Sequence, residues 1–373
     1  MSTRRWHPDV LGEGFRGRIL DLGRDEEGPV RAVAIRCVPG PPSEPVPAEL
    51  DRRVPLLLVH GWSDYVLDGD VMRRFFALGL DVWGVDLRKH GRSMLPGQTP
   101  TAVRDLDEYD AEITAMLELI GPRRKPIILA HSTGGLTAVR WAQRRPGTVR
   151  ALVLNSPWLE FQGGAALRRA LAPAVRGRAE RAPTSRILPH GQDHYARTTH
   201  ALYGGEADYS LRWKPPGGHA FPACTMHAVL EAQAKLRSGG LLTVPTLVLH
   251  SDRTRFSLLR FHPGMARADT VLSVRSIASA ARRLGPMVRD VAVPGARHDV
   301  FLSEAPARTR ALALVTDWLR QLPDVGPTMA AQGPEDERAT AQDGAERTGR
   351  DPAQGDEVRS DGDGRWRAGD GAA

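Results

Sequence analysis

Residues 126–145, PIILAHSTGGLTAVRWAQRR, decide the fold. Pro126 to His131 is an apolar run too short for a helix, and Gly135 to Arg145 carries a helix-like pattern that stops before Pro146. Ser132 stands at the junction, followed by the small residues Gly134 and Gly135. A strand that turns at once into a helix needs small neighbours, strains the backbone at the turn and presents the hydroxyl beyond the strand end. This is the shape of a nucleophile elbow.

The same rhythm extends in both directions. Short Val-, Ile- and Leu-rich runs recur at Val54–His60, Leu80–Val85, Val149–Asn155, Val244–His250 and Met287–Val293. Helix-like stretches separate them, with Leu106–Ile120 ending at Gly121-Pro122, Val274–Leu284 at Gly285-Pro286 and Ala305–Leu322 at Pro323. Such alternation predicts an α/β fold with a mostly parallel, doubly wound sheet and helices on both faces. Phe15 to Val38 reads as an antiparallel hairpin around the Asp25–Gly28 turn. The rhythm breaks after Pro157, so residues 1–157 and 241–323 are expected to form the two parts of one core, with 158–240 as an insertion. Beyond Pro323 the composition turns to Gly, Asp, Glu, Arg, Ala and Gln, predicting a disordered tail over 324–373.

With 373 residues and 41% apolar content, the chain is long enough to bury a large core. Its net charge of +7 comes mostly from scattered arginines, the lysines being Lys89, Lys125, Lys214 and Lys235. Without a basic helix, a zinc motif or an RNA-binding signature, no nucleic-acid partner is expected. Cys37 and Cys224 lie far apart, without metal-ligand spacing, and read as buried, inert thiols. An apolar leader and an apolar run of membrane-spanning length are both absent, which predicts a cytoplasmic protein with no integral membrane segment.

Two further motifs supply partners for the serine. VPLLLVHGWSDY (54–65) places His60-Gly61 at a strand end, from which the following loop can offer an amide to an oxyanion; the backbone N–H groups of Trp62 and Thr133 are the candidates. VAVPGARHDV (291–300) is a strand and loop carrying His298 just before the last helix, where a general base belongs. An acid between Ser132 and His298 would complete a triad, and both Asp252 and Asp269 qualify. The histidines of the irregular stretch and a later loop, His190, His194, His200, His219, His227 and His262, read as surface or lid residues. Chemistry of this kind requires no metal or organic cofactor.

Assembled in order, His60-Gly61, DLRKHGRS (86–93), HSTGG (131–135) and GARH (295–298) make the chain resemble the monoacylglycerol lipase, lysophospholipase and serine aminopeptidase-like group of α/β hydrolases, over roughly residues 15–320. The resemblance implies an α/β-hydrolase fold in which 158–240 forms a cap. It also favours Asp269, because Asp269-Thr270-Val271-Leu272 matches the family's pattern before the histidine, with Arg253–Ala268 as extra residues. Two positions depart from the family: Ala130 replaces the elbow's first glycine and Lys89 replaces the glycine of DxRGHGxS. The implied activity is hydrolysis of a carboxylic ester, monoacylglycerol- or lysophospholipid-like or smaller, through an acyl-enzyme on Ser132. A peptidase with the same triad and a catalytically silent binding protein are the alternatives, and Glu206 and Asp208 do not separate ester from peptide. Trp158, Phe161, Tyr195, Tyr203, Tyr209, Trp213 and Phe221 could line an acyl pocket or hold the cap on the core.

Overall fold

A computed structural model describes residues 5–188, 193–257 and 260–329. It contains a nine-stranded sheet built from β1 (His7–Pro8), β2 (Phe15–Asp25), β3 (Gly28–Cys37), β4 (Pro55–Val59), β5 (Asp81–Asp86), β6 (Ile127–His131), β7 (Ala151–Asn155), β8 (Thr246–Ser251) and β9 (Val288–Val293), in the order β1-β2-β3-β5-β4-β6-β7-β8-β9. The pairs from β1 to β5 across β3 are antiparallel, and those from β5 through β4 to β9 are parallel. The hairpin and the parallel core therefore stand where the alternation of apolar runs puts them.

The central parallel strands β4, β6 and β7 are buried nearly throughout and mostly apolar because both faces of the sheet are covered there. Successive side chains point to opposite faces. Leu57, Val59, Ile128, Leu152 and Leu154 join one cluster with residues of α2 (Asp110–Ile120), α3 (Thr133–Arg144), α6 (Ala223–Leu236) and α7 (Val274–Ala281). Leu56, Ile127, Leu129, Val153 and Leu249 join the other with α1 (Gly69–Ala77) and α8 (Ala305–Arg320).

Between β7 and β8 the chain leaves the sheet for α4 (Gly164–Arg181), α5 (His194–Thr199) and α6, of which α4 and α6 pack together. Of the expected tail, residues 324–329 continue the folded chain. Val325 is fully buried beside Leu322, so burial extends past the compositional break. Residues 330–373 lie outside the described residues.

The departure at Lys89 has a local account. Its φ is +57°, a backbone conformation natural to glycine. The lysine is held there because its ammonium lies 2.7 Å from Asp25 and 2.6 Å from Glu27, on the turn of the β2–β3 hairpin. The neighbouring Arg88 and Arg92 are likewise buried against carboxylates, Glu112 at 2.7 Å and Asp86 at 2.9 Å. The block 86–93 is thus a set of ion pairs fastening β5 to its surroundings.

Both cysteines are buried and free. Burial pushes the Cys37 thiol up to about 11, and it raises Cys224 as well, so neither is a ready nucleophile.

Candidate active site

Ser132 directly follows β6 and stands at the N-cap position of α3 with φ +53° and ψ −116°, a strained conformation for a residue bearing a side chain. Its backbone is fixed on both sides: the Ser132 N–H donates to Asn155 O at 3.0 Å, and Ser132 O accepts from Trp158 N at 3.0 Å. The glycines that follow are needed by close approach. A Cβ on Gly134 would collide with the His60 carbonyl, and one on Gly135 would lie 2.6 Å from Pro157 Cβ. Ala130, where the family's elbow has glycine, fits fully buried.

His298 reaches this serine from the loop after β9, with Nε2 3.1 Å from Ser132 Oγ and Nδ1 2.9 Å from Asp269 Oδ2. A carboxylate can only accept, so Nδ1 carries the proton and Nε2 is left to accept from the serine hydroxyl. Asp269 is fully buried, and its Oδ1 accepts the Val271 and Leu272 amides at 2.8 and 2.7 Å. Backbone bonds between Asp269 and residues Arg253 and Arg255, at 2.9 Å each, hold it beside the end of β8. Asp252 does something else. It accepts from Gly295 N at 3.0 Å and pairs with Arg253, taking no part in the imidazole's hydrogen bonds, which go to Asp269 and Ser132.

Of the two amides expected at the oxyanion, one follows Gly61 in the loop after β4 and the other opens α3. Gly61 lies so close to the serine that a Cβ on it would stand 2.9 Å from Ser132 Cβ, and the next N–H along the loop is that of Trp62. Among the described residues the Trp62 N–H has no backbone acceptor. Thr133 opens α3, where a helix leaves its first N–H groups unpaired and the helix dipole favours negative charge.

Several neighbours are not legible as site residues in the sequence. His131 packs its ring 4.9 Å from that of His298 and sets its Nδ1 3.1 Å from Asp64 Oδ2, leaving its buried Nε2 without a partner among the described residues. Lys214, from the segment between β7 and β8, places its buried ammonium 2.7 Å from Asp64 Oδ1. Burial alone would raise the Asp64 carboxyl, but Lys214 and His131 outweigh it and hold it well below the usual carboxylate range. For Lys214, burial pulls the ammonium down and Asp64 more than reverses it. Asp64, His131 and Asp299 bring ligand atoms within 4.8 Å of one another, close enough for a metal ion, but the cation already seated on Asp64 is this ammonium. Asp64 lies within the HGWSDY run, whereas Lys214 offers only the signal of a rare lysine among aromatic residues.

The insertion's aromatic residues divide. Phe221 stacks on Trp62 at 4.5 Å and meets Trp158 edge-on at 6.1 Å; Trp213 packs on Tyr65, and Tyr203 is largely exposed. Tyr195 approaches the His298 ring edge-on at 6.2 Å, and its buried hydroxyl has no partner among the described residues. Among the histidines set aside, His194 and His200 are buried rather than on the surface, because neighbouring aromatic residues and the Tyr209 carbonyl enclose them. His190 lies outside the described residues.

The family described as serine aminopeptidase, S33, matches residues 51–305. A monoacylglycerol lipase of Mycolicibacterium smegmatis is 27% identical over 277 residues, covering 73% of this chain and 89% of that protein. Lysophospholipase L2 of Escherichia coli is 27% identical over 290 residues, covering 69% and 78%. Among solved structures, the monoacylglycerol lipase of Paleococcus ferrophilus superimposes with a TM-score of 0.54 at 18% identity, covering 71% of this chain and 93% of that one. A soluble variant of Saccharomyces cerevisiae monoglyceride lipase does so with 0.56 at 15% identity, covering 81% and 95%. The chain belongs to the serine aminopeptidase (S33) family, a family of hydrolases with the α/β-hydrolase fold.

Proposed function

We propose that the protein hydrolyses carboxylic esters of lipid-like or smaller acyl groups through an acyl-enzyme on Ser132. The observation that carries this reading is the continuous hydrogen-bonded chain Ser132–His298–Asp269, at 3.1 and 2.9 Å, beside the strained elbow. In the first half-reaction His298 Nε2 takes the hydroxyl proton as Ser132 Oγ attacks the ester carbonyl. The N–H groups of Trp62 and Thr133 receive the developing oxyanion, and Asp269 stabilises the imidazolium. Collapse expels the alcohol with the proton from His298. Water, activated by the same imidazole, then releases the acid.

Residues 158–240 serve as a cap over this centre, and Tyr195 brings a cap side chain to the imidazole. Lipid-ester substrates are favoured by the names of the similar lipases. A peptidase would need a free carboxylate to hold the substrate's α-amine. Asp64 is paired with Lys214 at 2.7 Å, and Glu206 with Arg308 at 2.9 Å. These pairings favour ester over peptide.

Labelling with a fluorophosphonate, with the modified peptide located by mass, tests the nucleophile. Hydrolysis of monoacylglycerol, lysophospholipid and short p-nitrophenyl esters, alongside aminoacyl naphthylamides, tests the substrate. Label on Ser132, lost in His298→Ala, together with ester turnover is expected. Folded protein that takes no label and turns over no ester overturns the reading in favour of a silent fold.

A further inference from the structure

We propose that Lys214 is a positioning residue through which the cap holds the oxyanion loop in its working geometry, with Asp64 as its partner. This rests on the reading of Ser132 as nucleophile and Trp62 as oxyanion donor.

Each residue from Trp62 to Tyr65 is gripped by the stretch from Ser210 to Phe221. Trp62 stacks on Phe221 at 4.5 Å. Ser63 Oγ accepts the His219 backbone N–H at 2.8 Å and shares a second hydrogen bond with His219 Nδ1 at 2.8 Å. Asp64 takes the Lys214 ammonium at 2.7 Å, and the Tyr65 hydroxyl accepts the Ser210 N–H at 2.7 Å. Gly218 is pressed against the Trp62 indole so closely that a Cβ would stand 2.7 Å from it. The loop itself is strained: Ser63 has φ +52°, which a side-chain-bearing residue adopts only when its surroundings impose it. Here those surroundings are the cap.

Asp64 carries the connection to the other side of the centre. Its second oxygen receives His131 Nδ1–H, on the residue before Ser132, and the His131 ring lies against that of His298. A carboxylate so buried needs its oxygens filled by donors; Oδ1 of Asp64 takes the Lys214 ammonium, and a buried charge left alone is far more disruptive than the pair is helpful. Lys214 therefore lets Asp64 tie together the loop that offers the Trp62 amide and the elbow that offers Ser132. Small displacements of an oxyanion donor affect the transition state rather than the bound ester. The oxyanion hole is then complete only when the cap is seated.

The test compares wild type with Lys214→Met, Asp64→Asn/Lys214→Met, Tyr65→Phe and Ser132→Ala on one short ester, with thermal midpoints measured alongside. Asparagine at 64 still accepts from His131 without needing a cation. The expected result is a kcat about 10- to 100-fold lower in folded Lys214→Met at a KM within about threefold of wild type, with most of the loss regained in the double variant. Tyr65→Phe keeps every charge and is expected to lower kcat several-fold at unchanged KM, so it decides the matter if Lys214→Met does not fold. Wild-type kcat in the folded variants, a loss confined to KM, or a double variant that folds without recovery overturns the proposal. Activity surviving in Ser132→Ala instead overturns the underlying reading of the nucleophile.

Discussion

The side-chain amide of Asn155 donates to Asp299 Oδ1 at 2.7 Å, tying the last residue of β7 to the residue after His298. Its Oδ1 accepts the Val300 N–H at 3.1 Å, and its backbone carbonyl accepts the Ser132 N–H at 3.0 Å. One buried asparagine thus positions both the elbow and the histidine loop. Asn155→Leu leaves the Val300 amide unpaired and removes one of two donors to Asp299 Oδ1, which keeps the Phe301 N–H at 3.0 Å, so it should cost about 1–3 kcal/mol of stability and lower ester turnover about 10-fold or more. Thermal unfolding and steady-state kinetics on the same preparation measure both. Turnover at the wild-type rate would show that His298 is held well enough by Asp269 alone.

Asp269 and Asp252 part company just as clearly. Only Asp269 meets the imidazole, so Asp269→Asn should reduce kcat by several orders of magnitude, by presenting the wrong tautomer to Ser132. Asp252→Asn should leave turnover nearly unchanged, since it disturbs only a cap on Gly295 N and an ion pair with exposed Arg253. The reverse ranking in a short-ester assay would move the acid to Asp252.

Lys89 combines a glycine-like φ of +57° with two ion pairs. Lys89→Ala loses the pairs and keeps the strain, whereas Lys89→Gly loses the pairs and releases it. The glycine variant should therefore be the more stable of the two by about 1 kcal/mol in urea unfolding. An alanine variant at least as stable as the glycine variant would remove backbone strain from the account of this position.

The buried histidines 60 and 90 predict acid sensitivity. Burial lowers both, His90 to about 3, and His60 Nε2 accepts the Leu87 N–H as a neutral ring must. The unfolded chain takes up these protons near pH 6.5, so stability is present above that value and is lost as pH falls from about 6.5 toward 3. In His90→Asn the side-chain amide can replace the Nδ1–H that donates to Arg88 O at 2.7 Å, without titrating. Melting temperatures measured from pH 7 to pH 4 should fall less steeply in that variant. An unchanged slope would place the acid sensitivity elsewhere.

Sequence alone determined the α/β rhythm and the roles open to Ser132 and His298, because both are local matters. An apolar run of strand length and a serine followed by glycines at a strand–helix junction each record a constraint acting within a few residues. The glycines at 134 and 135 are the clearest instance, since the bulk they exclude comes from His60 and Pro157 packed against the turn. The acid was narrowed to two residues by chain order and to Asp269 by resemblance. The contact itself joins residues 29 apart in sequence, at a bend held by the Arg253 and Arg255 backbone.

Only the tertiary structure decided that Lys214 pairs with Asp64, 150 residues away, that Asn155 fastens the histidine loop, and that His194 and His200 are buried. No periodicity marks such residues. A lone lysine among aromatic residues looks like a solvated surface charge until the fold buries it, and burial is what obliges it to find a carboxylate.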